Sequence, residues 1–186
     1  MNPNKQKNAF SSPWSLWTQL LLICWRLNWL FLCSWTPKFL NLWRLAILKV
    51  FGAKIYGLPF VDGSVRIQIP WHLKLHHRAC LGEKVNAYSI GYIEVKEGAT
   101  VAQESYLCTG THDFKSPTMQ LISRDIIIGK NAFIGARAMV LPGVKIGNNS
   151  IVGAQAVVTK NIPNNEVFAG NPAKKIREHK NFREPN

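Results

Sequence analysis

Acidic residues are scarce in this chain. Ten Asp and Glu stand against 23 Lys and Arg, giving a formal net charge of +13 over 186 residues. None of the ten precedes Asp62, so Lys5, Lys7, Arg26, Lys38, Arg44, Lys49 and Lys54 have no carboxylate near them in sequence. Cysteine is scarce too. Cys24, Cys33, Cys80 and Cys108 show no CxxC spacing, which argues against a metal knuckle or a disulfide framework and makes a reducing cytoplasm the expected compartment. The N-terminal apolar run is not expected to be a secretory signal, since no short apolar core leads to a small-residue cleavage site. The most apolar stretch, residues 13–35, is long enough to span a bilayer but is interrupted by Gln19, Arg26 and Asn28. No nucleic-acid motif accompanies the positive charge, so nucleic acid is not expected as a partner.

What is present is a period of six. From Ile128 the chain reads Ile-Gly-Lys-Asn-Ala-Phe, Ile134-Gly-Ala-Arg-Ala-Met, Val140-Leu-Pro-Gly-Val-Lys, Ile146-Gly-Asn-Asn-Ser-Ile, Val152-Gly-Ala-Gln-Ala-Val and Val158-Thr-Lys-Asn-Ile-Pro163. Each block opens on Ile or Val, most have Gly second, and the fifth residue is mostly small. Six matches neither the helical period nor strand alternation. It suits a flat-sided coil in which each block gives one short strand and one corner. The branched residue then points inward, and Gly and Asn take the corners where positive φ costs them least. Such blocks bury their apolar face only by stacking.

Upstream, Ile69, Leu75 and Leu81 open further blocks. The register slips through Ala87–Glu94 and resumes at Val95, Val101 and Leu107. A second break, residues 113–127, reads as an extruded loop, and long loops on regular scaffolds often carry function. The expected layout is a polar N-terminus (1–12), a Trp-rich helical hairpin (13–55), the coil (56–163) and a tail (164–186) ending in a short helix. Pro13 suits a helix start capped by Ser11 or Ser12, and Gly52 suits the end of the second helix. Trp14, Trp17, Trp25, Trp29 and Trp35, interleaved with Leu and basic residues, fit peripheral contact through 13–55 with the inner face of the cytoplasmic membrane. Packing against the coil or a neighbouring subunit fits them equally.

His112 ends the repeat where the loop begins, in Cys108-Thr-Gly-Thr-His-Asp-Phe114, and an imidazole there can serve as a general base near neutral pH. Together these features resemble the hexapeptide-repeat acyltransferases, and within them the O-acetyltransferases of colanic-acid and exopolysaccharide type. The resemblance covers about residues 52–177. It rests on Phe51-Gly-Ala-Lys-Ile55, Pro70-Trp71, Gln103-Glu-Ser-Tyr-Leu-Cys-Thr-Gly-Thr-His-Asp113, the terminal blocks and Gly170-Asn-Pro-Ala-Lys-Lys-Ile-Arg177.

It implies an all-β left-handed parallel β-helix assembled as a homotrimer. The reaction it implies is acetyl transfer from acetyl-CoA to a sugar hydroxyl, with His112 as base and no metal. Ala136 and Ala154 would admit the pantetheine arm, Thr159 and Lys160 would close the last coil, and Lys174 and Arg177 would meet the CoA phosphates. Asp113 or Glu104 would orient the imidazole. Ser89 stands beside the implied acceptor pocket where these enzymes commonly carry Asn, and Asp113 shares that pocket; Phe133 stands where a Trp is common. Rival readings are Cys108 as a nucleophile, a zinc lyase drawing on His72, His76 and His77, a small alcohol such as serine as acceptor, and a non-catalytic membrane-associated scaffold.

Overall fold

The computed structural model describes residues 14–179. Its body is a parallel β-helix of triangular section. Strands Lys54–Ile55, Leu73–Leu75, Ile93–Val95, Ile126–Ile128 and Lys145–Ile146 stack in that order to form the first face. Phe60–Val61, Cys80–Leu81, Thr100–Val101, Phe133–Ile134, Ile151–Val152 and Glu166–Ala169 form the second. Arg66–Ile67, Asn86–Tyr88, Tyr106–Cys108, Met139–Val140 and Val157–Val158 form the third.

Block-opening residues stack directly on one another. Leu75 pairs with Val95, Val95 with Ile128 and Ile128 with Ile146, and all four are buried. The small fifth residues Ala132, Ala138 and Ala156 are buried at the converging corners. The coil begins earlier than the block at Ile69 suggests. Ile55, Val61 and Ile67 already keep the period of six, and each pairs with the next coil. The slip after Ala87 leaves Ala87 in the stack, between Ile67 and Leu107.

Gly143, Asn131 and Asn149 take corners as expected, but the second-position glycines do not. The left-handed corner falls on the fourth residue: Asn131 (φ 53°), Arg137 (59°), Gly143 (86°), Asn149 (56°) and Gln155 (58°). The second-position glycines serve close stacking instead. A Cβ on Gly135 would lie 2.5 Å from the Ala154 nitrogen, so adjacent coils could not close.

The helical hairpin is present. Helix α1 runs Leu16–Leu32 and is capped by Ser15, whose Oγ accepts from the Thr18 N–H at 3.2 Å. Pro13, Ser11 and Ser12, expected at this start, lie outside the described residues. Helix α2, Asn41–Val50, ends as its sequence predicts. Gly52 (φ 84°) donates to the Lys49 carbonyl and Ala53 to the Leu48 carbonyl, both at 2.9 Å.

One stripe of α1 packs on the first coil. Trp25 and Trp29 are buried there and donate their indole N–H groups to the Ile67 and Val65 carbonyls at 2.8 and 3.0 Å. Arg44 of α2 is buried beside them, with Nε donating to the Val61 carbonyl at 2.8 Å. The short helix expected after Arg177 falls almost wholly outside the described residues. Lys174–Glu178 is a strand antiparallel to Glu166–Ala169, joined through Gly170 (φ 96°). The open edge of the second face offers this short segment its backbone partners.

Candidate active site

The second register break is a hairpin. Gly110–His112 pairs antiparallel with Leu121–Ser123, and the chain rejoins the first face at Ile126. His112 is exposed at the end of its strand, opposite Leu121. Its Nδ1 lies 2.6 Å from the Met119 carbonyl. A carbonyl only accepts, so Nδ1 carries the hydrogen and Nε2 of the neutral ring keeps its lone pair. The orienting group is therefore a backbone carbonyl of the loop. Neither carboxylate named above does this work. Asp113 accepts from the Lys115 N–H at 3.0 Å. Glu104 accepts from Arg137 Nε at 2.6 Å, which holds its carboxyl below the usual carboxylate range.

His112 opens onto a recess of about 480 Å³, shared with Cys108, Phe114, Arg124, Met139 and Thr159. Cys108 is buried in its wall, and its Sγ donates to the Gly110 carbonyl at 3.2 Å. A thiol that donates is protonated, which disfavours it as nucleophile. Arg124 and Phe114 escaped the motif reading because only the hairpin folds them over the third face. The signal for Arg124 was a lone cation where the loop returns to the coil.

Ser89 is corrected. It is fully buried, and its Oγ accepts from the Ile69 N–H and donates to the Ile69 carbonyl, each at 2.9 Å. It braces a corner and does not face an acceptor.

The implied CoA residues divide between two corners of one chain. Ala136 and Ala154 stack at the corner between second and third faces, where Gln155 N–H donates to the Ala136 carbonyl at 2.9 Å. Lys174 continues that line, pairing with Ala169. Thr159 and Lys160 lie across the third face, on the His112 side, about 16 Å of extended chain from Ala154. Arg177 pairs with Val167, on the outer edge of the second face. Lys160, Lys174 and Arg177 are exposed.

A second recess of about 650 Å³ lies between α1 and the third face, lined by Trp25, Arg26, Arg66, Asn86, Tyr88 and Tyr106 among others. Tyr106 pairs with Met139, so the two recesses adjoin.

The histidines of the zinc reading do not converge. His72 Nδ1 donates to the Ser89 and Ile90 carbonyls (3.1 and 2.8 Å), and His76 Nε2 lies 2.8 Å from Glu94. Among the described residues no three His, Cys, Asp or Glu side chains gather as a metal site requires.

A triangular parallel β-helix built from six-residue blocks defines a class: the hexapeptide-repeat transferases. The bacterial transferase hexapeptide family (six repeats) matches residues 125–160. WcaF of Escherichia coli (strain K12), named as a colanic acid biosynthesis acetyltransferase, is 41% identical over 145 residues, covering 78% of this chain and 80% of its own. The chain therefore belongs to the hexapeptide-repeat acetyltransferases, left-handed β-helix enzymes that use acetyl-CoA. Two solved structures share the fold. Galactoside acetyltransferase in complex with coenzyme A has a TM-score of 0.81 at 21% identity, over 91% of this chain and 86% of that one. The hexapeptide-repeat acetyltransferase VCA0836 of Vibrio cholerae, complexed with acetyl-CoA, has a TM-score of 0.78 at 17% identity, over 97% of this chain and 100% of that one.

Proposed function

We propose that this enzyme transfers an acetyl group from acetyl-CoA to a hydroxyl of a sugar, in an exopolysaccharide or its precursor, with His112 as general base. The observation that carries this reading is the 2.6 Å contact between His112 Nδ1 and the Met119 carbonyl. It leaves Nε2 ready to take a proton at the mouth of the recess. The sugar oxygen, losing its proton to Nε2, forms a bond to the thioester carbonyl carbon. The C–S bond breaks, and the imidazolium returns the proton to the departing thiolate of CoA. No acyl-enzyme forms, consistent with a Cys108 thiol tied to Gly110.

The acceptor class is supported by the names of relatives, colanic acid for WcaF and galactoside and maltose for structural neighbours. The adjoining recess supports it as well. Tyr88, Tyr106, Asn86 and Arg66 offer the aromatic faces and hydrogen-bonding groups that further sugar units need. The division of the CoA residues between two corners supports a trimer. Ala136, Ala154 and Lys174 of one subunit would face His112 and Thr159 of the next, with the pantetheine arm in the groove between them.

The test pairs CoA binding by calorimetry with thiol release in the presence of mixed sugar acceptors. His112→Ala should bind CoA like wild type and lose about 10²- to 10⁴-fold in turnover. Equal turnover in the two proteins removes His112 as base. Absence of CoA binding in both leaves the scaffold reading.

A further inference from the structure

Helix α1 and its partner α2 carry an apolar surface that the β-helix does not cover. Fourteen large apolar side chains between Leu16 and Val50 are exposed, among them Leu16 at 78%, Trp17 and Phe39 at 82%, Leu42 at 65% and Val50 at 79%. This is far beyond scattered surface leucines. The polar groups on the same segment are turned inward onto backbone. Asn28 donates to the Cys24 carbonyl, Ser34 to Leu30, Trp35 to Phe31 and Trp43 to Leu32, at 2.7 to 2.9 Å. Gln19 donates to the Trp14 carbonyl at 3.0 Å. Donors satisfied this way can enter an apolar medium without stranding a hydrogen bond.

Arg26, Lys38, Lys49 and Lys54 are exposed along the segment, and no carboxylate occurs among its described residues before Asp62. No described helix is long and apolar enough to cross a membrane. The surface is also held rigidly, because Trp25, Trp29 and Arg44 bolt the hairpin to the first coil.

We infer that the exposed face of the α1–α2 hairpin docks this protein on an anionic lipid bilayer surface. Its apolar side chains enter the headgroup boundary, and its cations meet lipid phosphates. Indoles with internally satisfied N–H groups, beside unopposed cations, fit such a boundary. A lipid surface matches this combination better than the hairpin of a second copy, which would bring like charges together; a different face of a second copy would show as a changed oligomeric mass in the test below. Docking there would also place the recess under α1, with Arg26 and Arg66, beside the membrane where lipid-borne acceptors would lie.

The experiment uses the full chain with vesicles of equal parts phosphatidylglycerol and phosphatidylcholine, and with pure phosphatidylcholine, read by co-sedimentation. Wild type should bind the anionic vesicles, more weakly as salt rises. The triple variant Trp17→Ser, Phe39→Ser, Leu42→Ser removes exposed side chains only. It should lose roughly a hundredfold in vesicle affinity, keep its mass in light scattering and keep thiol release with a soluble acceptor. Lys38→Gln with Lys49→Gln should weaken binding about fivefold per residue on anionic vesicles and leave pure phosphatidylcholine unaffected. Failure of wild type to bind anionic vesicles overturns the inference. So does a changed oligomeric mass in the triple variant, which would make this face a subunit interface. Thiol release, measured without vesicles, keeps either result separate from the acetyltransferase reading.

Discussion

Replacing Arg44 by Met should detach the helical hairpin before the β-helix melts. Arg44 is fully buried. Besides Val61 it serves the chain reversal between the helices. Nη1 donates to the Thr36 carbonyl, Thr36 Oγ1 and the Pro37 carbonyl at 3.2, 2.8 and 2.9 Å, and Nη2 to the Lys38 carbonyl at 3.2 Å. Methionine fills much of the space and supplies none of these donors. The dry Val61 acceptor costs about 1–3 kcal/mol when left alone, and the four part-buried contacts, which water can replace, about 0.5 kcal/mol each. Against this stands relief from burying a cation, a cost visible in the downward push of burial on the Arg44 pKa. The net loss is about 2–4 kcal/mol, or about 4–16 °C for a chain of this size.

All seven tryptophans lie between Trp14 and Trp71, in the hairpin and first two coils. Tryptophan fluorescence therefore reports this end of the molecule, while far-UV circular dichroism reports the whole. In Arg44→Met the fluorescence transition should fall below the dichroism transition, because coils of a solenoid depend chiefly on their neighbours. Arg44→Lys should fall between, keeping charge without the fork. Coincident transitions at the wild-type temperature would refute the idea that Arg44 ties hairpin to coil.

Two further outcomes follow from the site and its surroundings. Cys108→Ala should retain most of the thiol-releasing rate; a dead but folded Cys108→Ala would restore the covalent route. His72 is held below the ordinary histidine range by burial, against the upward pull of its bonds to the Ser89 and Ile90 carbonyls. Its folded pKa is depressed, so its contribution is present above about pH 6.5 and is lost as pH falls through the folded value. The denaturation midpoint should drop as the pH is lowered below about 6.5. His72→Asn, which keeps a donor for the two carbonyls but does not titrate, should flatten that drop. An unchanged slope in His72→Asn would assign the acid sensitivity elsewhere.

Much of the fold was legible because a β-helix writes its geometry into sequence locally. One inward side chain per face, every six residues, made Leu75, Val95, Ile128 and Ile146 identifiable as core before any contact was known. Gly52 as a helix end was equally local. Ile55, Val61 and Ile67 keep the same period, but across loops and a helix end where it is easily missed. The role of the second-position glycines was misassigned for a clearer reason. Close stacking of Gly135 on Ala154 is a property of two coils, invisible within one block.

The sequence by itself determined the coil and the position of the hairpin loop, and it singled out His112 as the candidate base, since each depends on period, interruption or residue type. Only tertiary structure decided which atoms surround the candidate base. The Met119 carbonyl, not Asp113 or Glu104, fixes the His112 tautomer, because backbone acceptors carry no signature in sequence. Ser89 is withdrawn from the acceptor by a corner that closes over it. Arg124 joins the recess because the loop folds back. Tertiary structure also separated the tryptophans into buried anchors, Trp25 and Trp29, and exposed ones such as Trp17 and Trp35. Burial depends on what the rest of the chain brings alongside, and that is written in no single segment.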